Sequence, residues 1–462
     1  MKNFRKVVLV STVLSSFLMA GDDIMIKVTN FYNTLTNHAF NFKAIKSGDG
    51  YDLHIEPNNY AYKEIFNPDA KIHISVDEGP TVTKPKFTFA KAGLVAESEI
   101  ISIFNKQIQD DIKKDLKNPP KLKYSAILGF GDNLKENITI EPFVVDSKDM
   151  KVDSSKVEIT TDIDLSKFVG DMNLKYDHFI MQPKDEPGIF KISNVEAKSK
   201  IVEPPVEGFF LFSESSLNVG NIEMSASKPQ KVKFKFSLNA ASGAKKVSDI
   251  LSDITMLMDV KTNDIDTIAL AKGVKESKNK FEFKNIGTQG LVELIKLTKK
   301  MEEAQNEMAL ASKSKNDEKA LAKYLATMDE INNKLVPIFN STFIKDKSKI
   351  IADLELFSNK VSYIKLDLTY KAEPISGSLN SAFISLAAQG LAIVDGDIDV
   401  KVDKDLATTI NPFALIVLDM LKVKGLASEK NGIYELKATL KGGNVIINGK
   451  SYTLQELTRV LF

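Results

Sequence analysis

Apolar and polar residues alternate one for one over much of this chain. Val232, Phe234, Phe236 and Leu238 are separated by Lys233, Lys235 and Ser237, and Ile72, Ile74 and Val76 by His73 and Ser75. Ile398, Val400 and Val402 alternate with Asp397, Asp399, Lys401 and Asp403. Tyr434, Leu436, Ala438 and Leu440 alternate with Glu435, Lys437, Thr439 and Lys441, and the runs Lys156–Leu165 and Tyr363–Tyr370 repeat the pattern. Successive side chains of a strand point to opposite faces, so each run reads as a strand with one dry and one wet face. Parallel strands buried on both sides read as near-continuous apolar runs instead, so the pattern favours an antiparallel sheet wetted on one side. Gly442-Gly443 and Asn448-Gly449 supply tight turns.

Three-four spacing is confined to a few segments. Leu294, Leu297, Met301, Ala304, Met308 and Ala311 form one stripe; Ser312–Asn316 breaks it; Leu321, Leu325, Met328, Ile331 and Leu335 form a second stripe that Pro337 should end. These predict an antiparallel helical hairpin over about Gln289–Phe339. Asn411 followed by Pro412 predicts the capped start of a strongly apolar helix ending near Gly425. Thr453 and Glu456 have capping-box spacing for a short C-terminal helix. Shorter helices are expected near Ile24–Asn37 and Ile103–Leu116.

The fold class that follows is α+β and β-rich: a large curved antiparallel sheet with an inserted helical hairpin and short helices covering its dry face. The expected organisation is a leader over 1–20, a β-rich region with short helices over 21–288, the hairpin over 289–341, and a β-rich C-terminal region over 342–462. Pro119-Pro120 and Pro204-Pro205 are the best candidate breaks.

Residues 1–6 are basic, Val7–Ala20 is mostly apolar, and Gly21-Asp22-Asp23 follows, which is the layout of a secretory signal. The apolar stretch is short of the roughly 17–25 residues a spanning helix needs, so cleavage is expected, with a retained anchor as the alternative. The protein is therefore expected in the periplasm, soluble or tethered to the inner membrane.

Composition narrows the partners. The 462 residues carry 62 Lys+Arg against 61 Asp+Glu, for a net charge of +1. Loss of 1–20 removes Lys2, Arg5 and Lys6 and leaves −2, so nothing favours nucleic acid. Arg459 is the one arginine outside the leader, which makes guanidinium clamps on phosphate scarce. The absence of cysteine excludes thiol chemistry, disulfides, Cys-ligated zinc and a lipidated N-terminal cysteine.

Catalytic and cofactor motifs are missing, and no cofactor is expected. His38, His54, His73 and His178 lie at no metal-ligand helix spacing. Gly449-Lys450-Ser451 lacks the upstream glycine of a phosphate loop, Asn444 standing there. Asp395, Asp397, Asp399, Asp403 and Asp405 resemble a calcium loop only until its sixth and twelfth positions, which are Val400 and Leu406, so a solvated strand face is expected. Phe209, Phe210 and Phe212 are core residues or an apolar contact for a ligand. Met301, Met308 and Met328 are plastic packing or a surface for a partner helix.

Two short motifs resemble a known family. Ile74-Ser-Val-Asp-Glu-Gly-Pro80 is similar to a motif in the N-terminal third of the YdgA-like proteins, and Gly443–Lys450 followed by Leu454 resembles their closing strand, turn and helix. The order of elements between also corresponds. The resemblance implies an envelope protein of Gram-negative bacteria, of a domain of unknown function, with an N-terminal membrane segment and no established catalytic site. Asp77, Gly79, Pro80, Asn448 and Gly449 match, with a structural role implied. Glu78 stands where the family motif has histidine, so no imidazole role carries over.

Three functions remain open: a non-catalytic periplasmic protein binding a lipid or apolar ligand on its sheet, an assembly protein docking an envelope partner through the hairpin, and an enzyme with an unrecognised carboxylate pair. Oligomeric state is not legible.

Overall fold

The alternating runs become strands in the computed structural model, which describes residues 22–461 except 37–38, 59, 64, 68, 79–91, 117–118, 130, 186–187, 227–231, 266–272 and 315–316. The leader, His38, Gly79 and Pro80 lie outside the described residues. The chain divides into two units. The first runs to Lys228 and takes in Glu303–Leu321; the second comprises Pro229–Glu302 and Ala322–Phe462. Neither proline pair coincides with this division.

The first unit contains α1 (Asp22–Leu35), β1 (Phe40–Ser47), β2 (Gly50–Pro57), the single turn α2 (Tyr60–Lys63), β3 (Lys71–Glu78), β4 (Ala92–Glu99), α3 (Lys106–Asp115), β5 (Lys121–Leu128), β6 (Asn133–Ile140), β7 (Phe143–Asp146), β8 (Met150–Ser154), β9 (Val157–Asp164), β10 (Val169–Pro183), β11 (Gly188–Ile201) and β12 (Ser213–Ala226). β1 to β6 form an antiparallel meander, β9 returns beside β6, and β10, β11 and β12 follow in turn. β9 takes the first half of one edge of β10, and β8 the second half. Met25, Val28, Phe31 and Tyr32 of α1 recur at helical spacing and are buried against Leu53, Ile55, Ile74, Leu94 and Ile138.

One carboxyl is sealed in this core. Glu136 stands between Leu134 and Ile138 on the dry side of β6 and is 4% exposed. Tyr32 of α1 and Tyr124 of β5 hydrogen-bond its two oxygens, Tyr124 at 3.1 Å. Thr161 faces it across the β6–β9 register; its buried hydroxyl completes no hydrogen bond, yet with the phenols it favours the charged form. Burial outweighs all three and pushes the Glu136 carboxyl up to about 8. At neutral pH a protonated acid therefore joins α1 to the sheet.

The second unit contains β13 (Val232–Lys246), β14 (Leu251–Ile265), β15 (Glu276–Gly287), β16 (Lys349–Phe357), β17 (Val361–Tyr370), β18 (Val394–Asp403), β19 (Ser428–Lys430), β20 (Ile433–Lys441), β21 (Asn444–Ile447) and β22 (Lys450–Tyr452). β13 to β18 pair antiparallel in chain order and β20 follows β18; β19 and β21 share the other edge of β20, and β22 pairs with β21. Between β15 and β16 the chain forms α4 (Thr288–Ser314) and α5 (Asp317–Thr342). Leu297 packs with Ile331 and Ile338, and Lys300 pairs with Glu330. Gly287 and Gly290 let the start of α4 touch the end of α5: a Cβ on Gly290 would lie 2.3 Å from Thr342 Oγ1. The remaining helices are α6 (Leu379–Gln389), α7 (Lys404–Ile410), α8 (Pro412–Val423) and α9 (Leu454–Leu461).

Local signals act as read. Asn411 Oδ1 accepts the Phe413 N–H at 3.0 Å, and Thr453 and Glu456 exchange backbone and side-chain hydrogen bonds at 2.7 and 3.2 Å. Asn448 and Gly449 both have positive φ in the two-residue turn between β21 and β22, and Asn448 Nδ2 donates to the Gly425 carbonyl at 2.9 Å.

Other expectations are corrected. Pro337 does not end its helix, which runs on to Thr342. One hydrogen bond is lost there, but Ile338 packs in the cluster with Leu297, and Asn340 bonds the backbone of Ile375 in both directions, at 2.7 and 3.0 Å. Helix α6 was not expected; its apolar residues run all round, and Ser378 caps it. Asp403 is buried rather than solvated, 3.5 Å from Lys360. Lys450–Tyr452 is a strand, as a phosphate loop would not be. The helices also leave part of the dry face of the second unit open.

The folded-state pKa of Glu136 lies above the roughly 4.3 of an unfolded glutamate. The native state thus holds the extra proton between those values, and stability falls as pH rises from about 4.3 to about 8. Glu136→Gln should match the native protein near pH 5 and melt several degrees higher at pH 9 in thermal unfolding; a lower melting point at pH 9 contradicts this. Asn448→Ala removes a hydrogen bond and a residue tolerant of positive φ, and should cost about 1–2 kcal/mol in denaturant unfolding.

Candidate functional site

Because directly opposed residues of neighbouring strands share a face, the registers of the second unit define what each face carries. One face has three rows. The first is Met258, Asn279, Leu354, Ile364, Val400 and Leu436; the second is Met256, Phe281, Ala352, Leu366, Ile398, Ala438 and Ile447; the third is Ile254, Phe283, Ile350, Leu368, Gly396, Leu440 and Val445. No side chain in these rows carries a charge.

The opposite face is a lattice of ions. Lys280, Asp353, Lys365, Asp399 and Lys437 form one row, and Lys278, Glu355, Tyr363, Lys401 and Glu435 the next. Lys365 Nζ lies 3.0 Å from Asp353, 3.1 Å from Glu355 and 5.0 Å above the Tyr363 ring. Hydrogen bonding to Asp353 and then Glu355 holds the Lys365 ammonium above its usual range. A shallow cleft of about 190 Å³ opens among Leu257, Asp259, Lys278, Lys280, Asp353 and Glu355. Its charges largely answer one another, and such solvated pairs contribute little stability individually.

The apolar face is closed at one end and open at the other. Over β18–β21, Leu391, Leu421, Leu426, Tyr452, Leu457 and Val460 pack on it, and Ala438, Leu440, Val445 and Ile447 are buried. Over β14–β17, Met256 is 41% exposed, Met258 47%, Phe281 37% and Ile364 42%. Met256, Met258 and Phe281 lie side by side on the adjoining strands β14 and β15, and Ile364 of β17 follows them across the half-buried Leu354 and the small, buried Ala352 of β16. The arrangement can receive an apolar chain lying across the strands. It offers nothing on that face to neutralise a charged group.

The residues singled out in the sequence fall elsewhere. Phe212 is buried, Phe210 packs 5.7 Å from Phe31 in the first core, and Phe209 is half-buried in a bridge with Val206. Met301 and Met328 pack between α4 and α5, whereas Met308 is 37% exposed. Asp77 pairs with Gly93 between β3 and β4. Ile254, Met256, Met258 and Val260 alternate along β14, a pattern that Leu257 on the wet side obscures in the sequence.

Acid–base chemistry has two clusters to draw on. Glu136 has phenols and a hydroxyl around it rather than a second carboxyl. His73 is exposed, its ring nitrogens 2.8 Å from Asp52 and 3.0 Å from Asp49, and these hydrogen bonds raise its pKa. Among the described residues no group of three or more His, Asp and Glu side chains is arranged to hold a metal ion, and no helix is long and apolar enough to cross a membrane.

Comparison with curated proteins and with solved structures gives no match. A family model, bacterial protein of unknown function (DUF945), matches residues 66–339, from the isolated bridge at Phe66 before β3 to the last turn of α5. That span exceeds half of the 462 residues. The chain belongs to the DUF945 family of bacterial proteins of unknown function.

Proposed function

We propose that this protein is a non-catalytic, YdgA-like component of the Gram-negative cell envelope that holds an acyl chain or similarly apolar ligand on the open end of the second unit's sheet. The observation that carries the reading is the joint exposure of Met256, Met258, Phe281 and Ile364 on a face without charge. Unbranched, polarizable methionine side chains suit ligands of variable shape. Each buried methylene contributes about 0.8 kcal/mol, so about ten of them supply the roughly 8 kcal/mol of a micromolar complex before ordering costs. The secretory layout of residues 1–20 supports a periplasmic site of action.

A second reading takes α4 and α5 as an inserted hairpin that docks an envelope partner. It is favoured by the exposure of Leu294, Met308, Leu321 and Leu325 on these helices.

The test is lipid capture. Native protein purified from its own cells should release acyl lipid detectable by mass spectrometry, and delipidated protein should bind a fluorescent fatty acid. Met258→Asp combined with Ile364→Asp should weaken that binding at least tenfold while leaving the melting temperature nearly unchanged, since both positions are exposed. No associated lipid, together with equal binding by native and variant protein, would refute the reading.

A further inference from the structure

Helix α8 has the sequence Pro-Phe-Ala-Leu-Ile-Val-Leu-Asp-Met-Leu-Lys-Val. A helix apolar all round belongs in a core or in lipid. α8 is instead at the surface, with Phe413 74% exposed, Ile416 62%, Val417 48% and Val423 82%. Positions 413, 416, 417, 420 and 423 make one outward stripe at three-four spacing. The inner side is occupied: Leu421 packs with Leu426 and Leu436 on the closed end of the apolar sheet face. The two polar residues within the helix are also exposed and make their contacts at the surface, Asp419 with the Tyr434 hydroxyl and Lys422 with Glu429 at 2.6 Å.

The dimensions indicate what covers the stripe. Twelve residues make a helix about 18 Å long and about 10 Å wide, a footprint near 180 Å². A second copy or a rigid protein partner in a standard interface buries about 800 Å² on each side. A bilayer sets no such minimum, because a convex apolar ridge sinks into the boundary between headgroups and acyl chains. The same 18 Å falls short of the roughly 30 Å hydrocarbon core, so the helix lies in the surface and does not cross. Lys424 stands at its C-terminal end, where anionic headgroups would meet it.

We propose that the outer stripe of α8 docks the protein on an anionic lipid bilayer. This deepens the acyl-binding reading and rests on it: the docking helix closes one end of the face that holds the chain.

The full chain contains no tryptophan, so Phe413→Trp supplies a single tryptophan that can be excited beyond the tyrosine band. With vesicles of phosphatidylglycerol and phosphatidylcholine, F413W emission should shift to the blue and be quenched by brominated acyl chains. Ile416→Glu with Val417→Glu should lower vesicle co-sedimentation at least tenfold, yet keep fatty-acid binding that Met258→Asp with Ile364→Asp removes. Unchanged F413W emission with fatty-acid binding intact overturns the docking proposal alone. A blue shift that depends on protein concentration without vesicles assigns the stripe to a second copy and also overturns it. Loss of both vesicle and fatty-acid binding in native protein refutes the acyl-binding reading as well.

Discussion

Along β14–β20 every residue that faces Met256 or Met258 across the ladders is uncharged, while their neighbours one position away are Lys280, Asp353, Lys365, Asp399 and Lys437. A slip of one residue in any strand would exchange the two sets. At the closed end it would bring charged side chains such as Lys437 and Lys441 among Leu426, Val445 and Ile447, where no partner waits for them. The separation of apolar from ionic faces is thus what makes the register unique, and it is also what creates an apolar surface long enough to do something.

The two units finish that surface differently. In the first, α1 lays Met25, Val28, Phe31 and Tyr32 over the sheet, and a neutral Glu136 ties the helix down through Tyr32. Burying the carboxyl between two phenols costs stability as pH rises, but it specifies where the helix sits. In the second, residues of α8, α9 and the segments around them cover the β18–β21 end and stop there. The same alternation therefore yields a filled core in one unit and a half-open face in the other. The apolar outer stripe of α8 adds a second uncovered surface beside the closed end of that face.

Strands, the turn at Asn448-Gly449, the cap at Asn411 and the Thr453–Glu456 box were legible in the sequence because each is decided within a few residues. The two long helices were legible for the same reason. Pro337 misled because the helix beyond it is held by contacts from distant residues, Asn340 with Ile375 above all. Glu136 left a trace that local reading does not weigh: it occupies the apolar phase of Leu134-x-Glu136-x-Ile138. The candidate site was least legible. Alternation announces a dry face, but whether a helix lies over Phe281 or over Leu440 depends on where the chain returns from α6 and α8. The aromatic cluster around Phe210 drew attention by density and proved to be shared with Phe31 in the first core.

The acyl-binding reading requires the β14–β17 end of the second unit's apolar face to be open and to receive an apolar chain. Oxidative footprinting of the methionines measures both, since sulfoxide formation follows solvent access. In delipidated protein Met256 and Met258 should oxidise several times faster than Met301 and Met328, which pack between α4 and α5, and fatty acid should bring them down to the same slow rate. Slow oxidation of Met256 and Met258 without lipid, or fast oxidation that fatty acid leaves unchanged, would rule out an open face that binds an apolar chain.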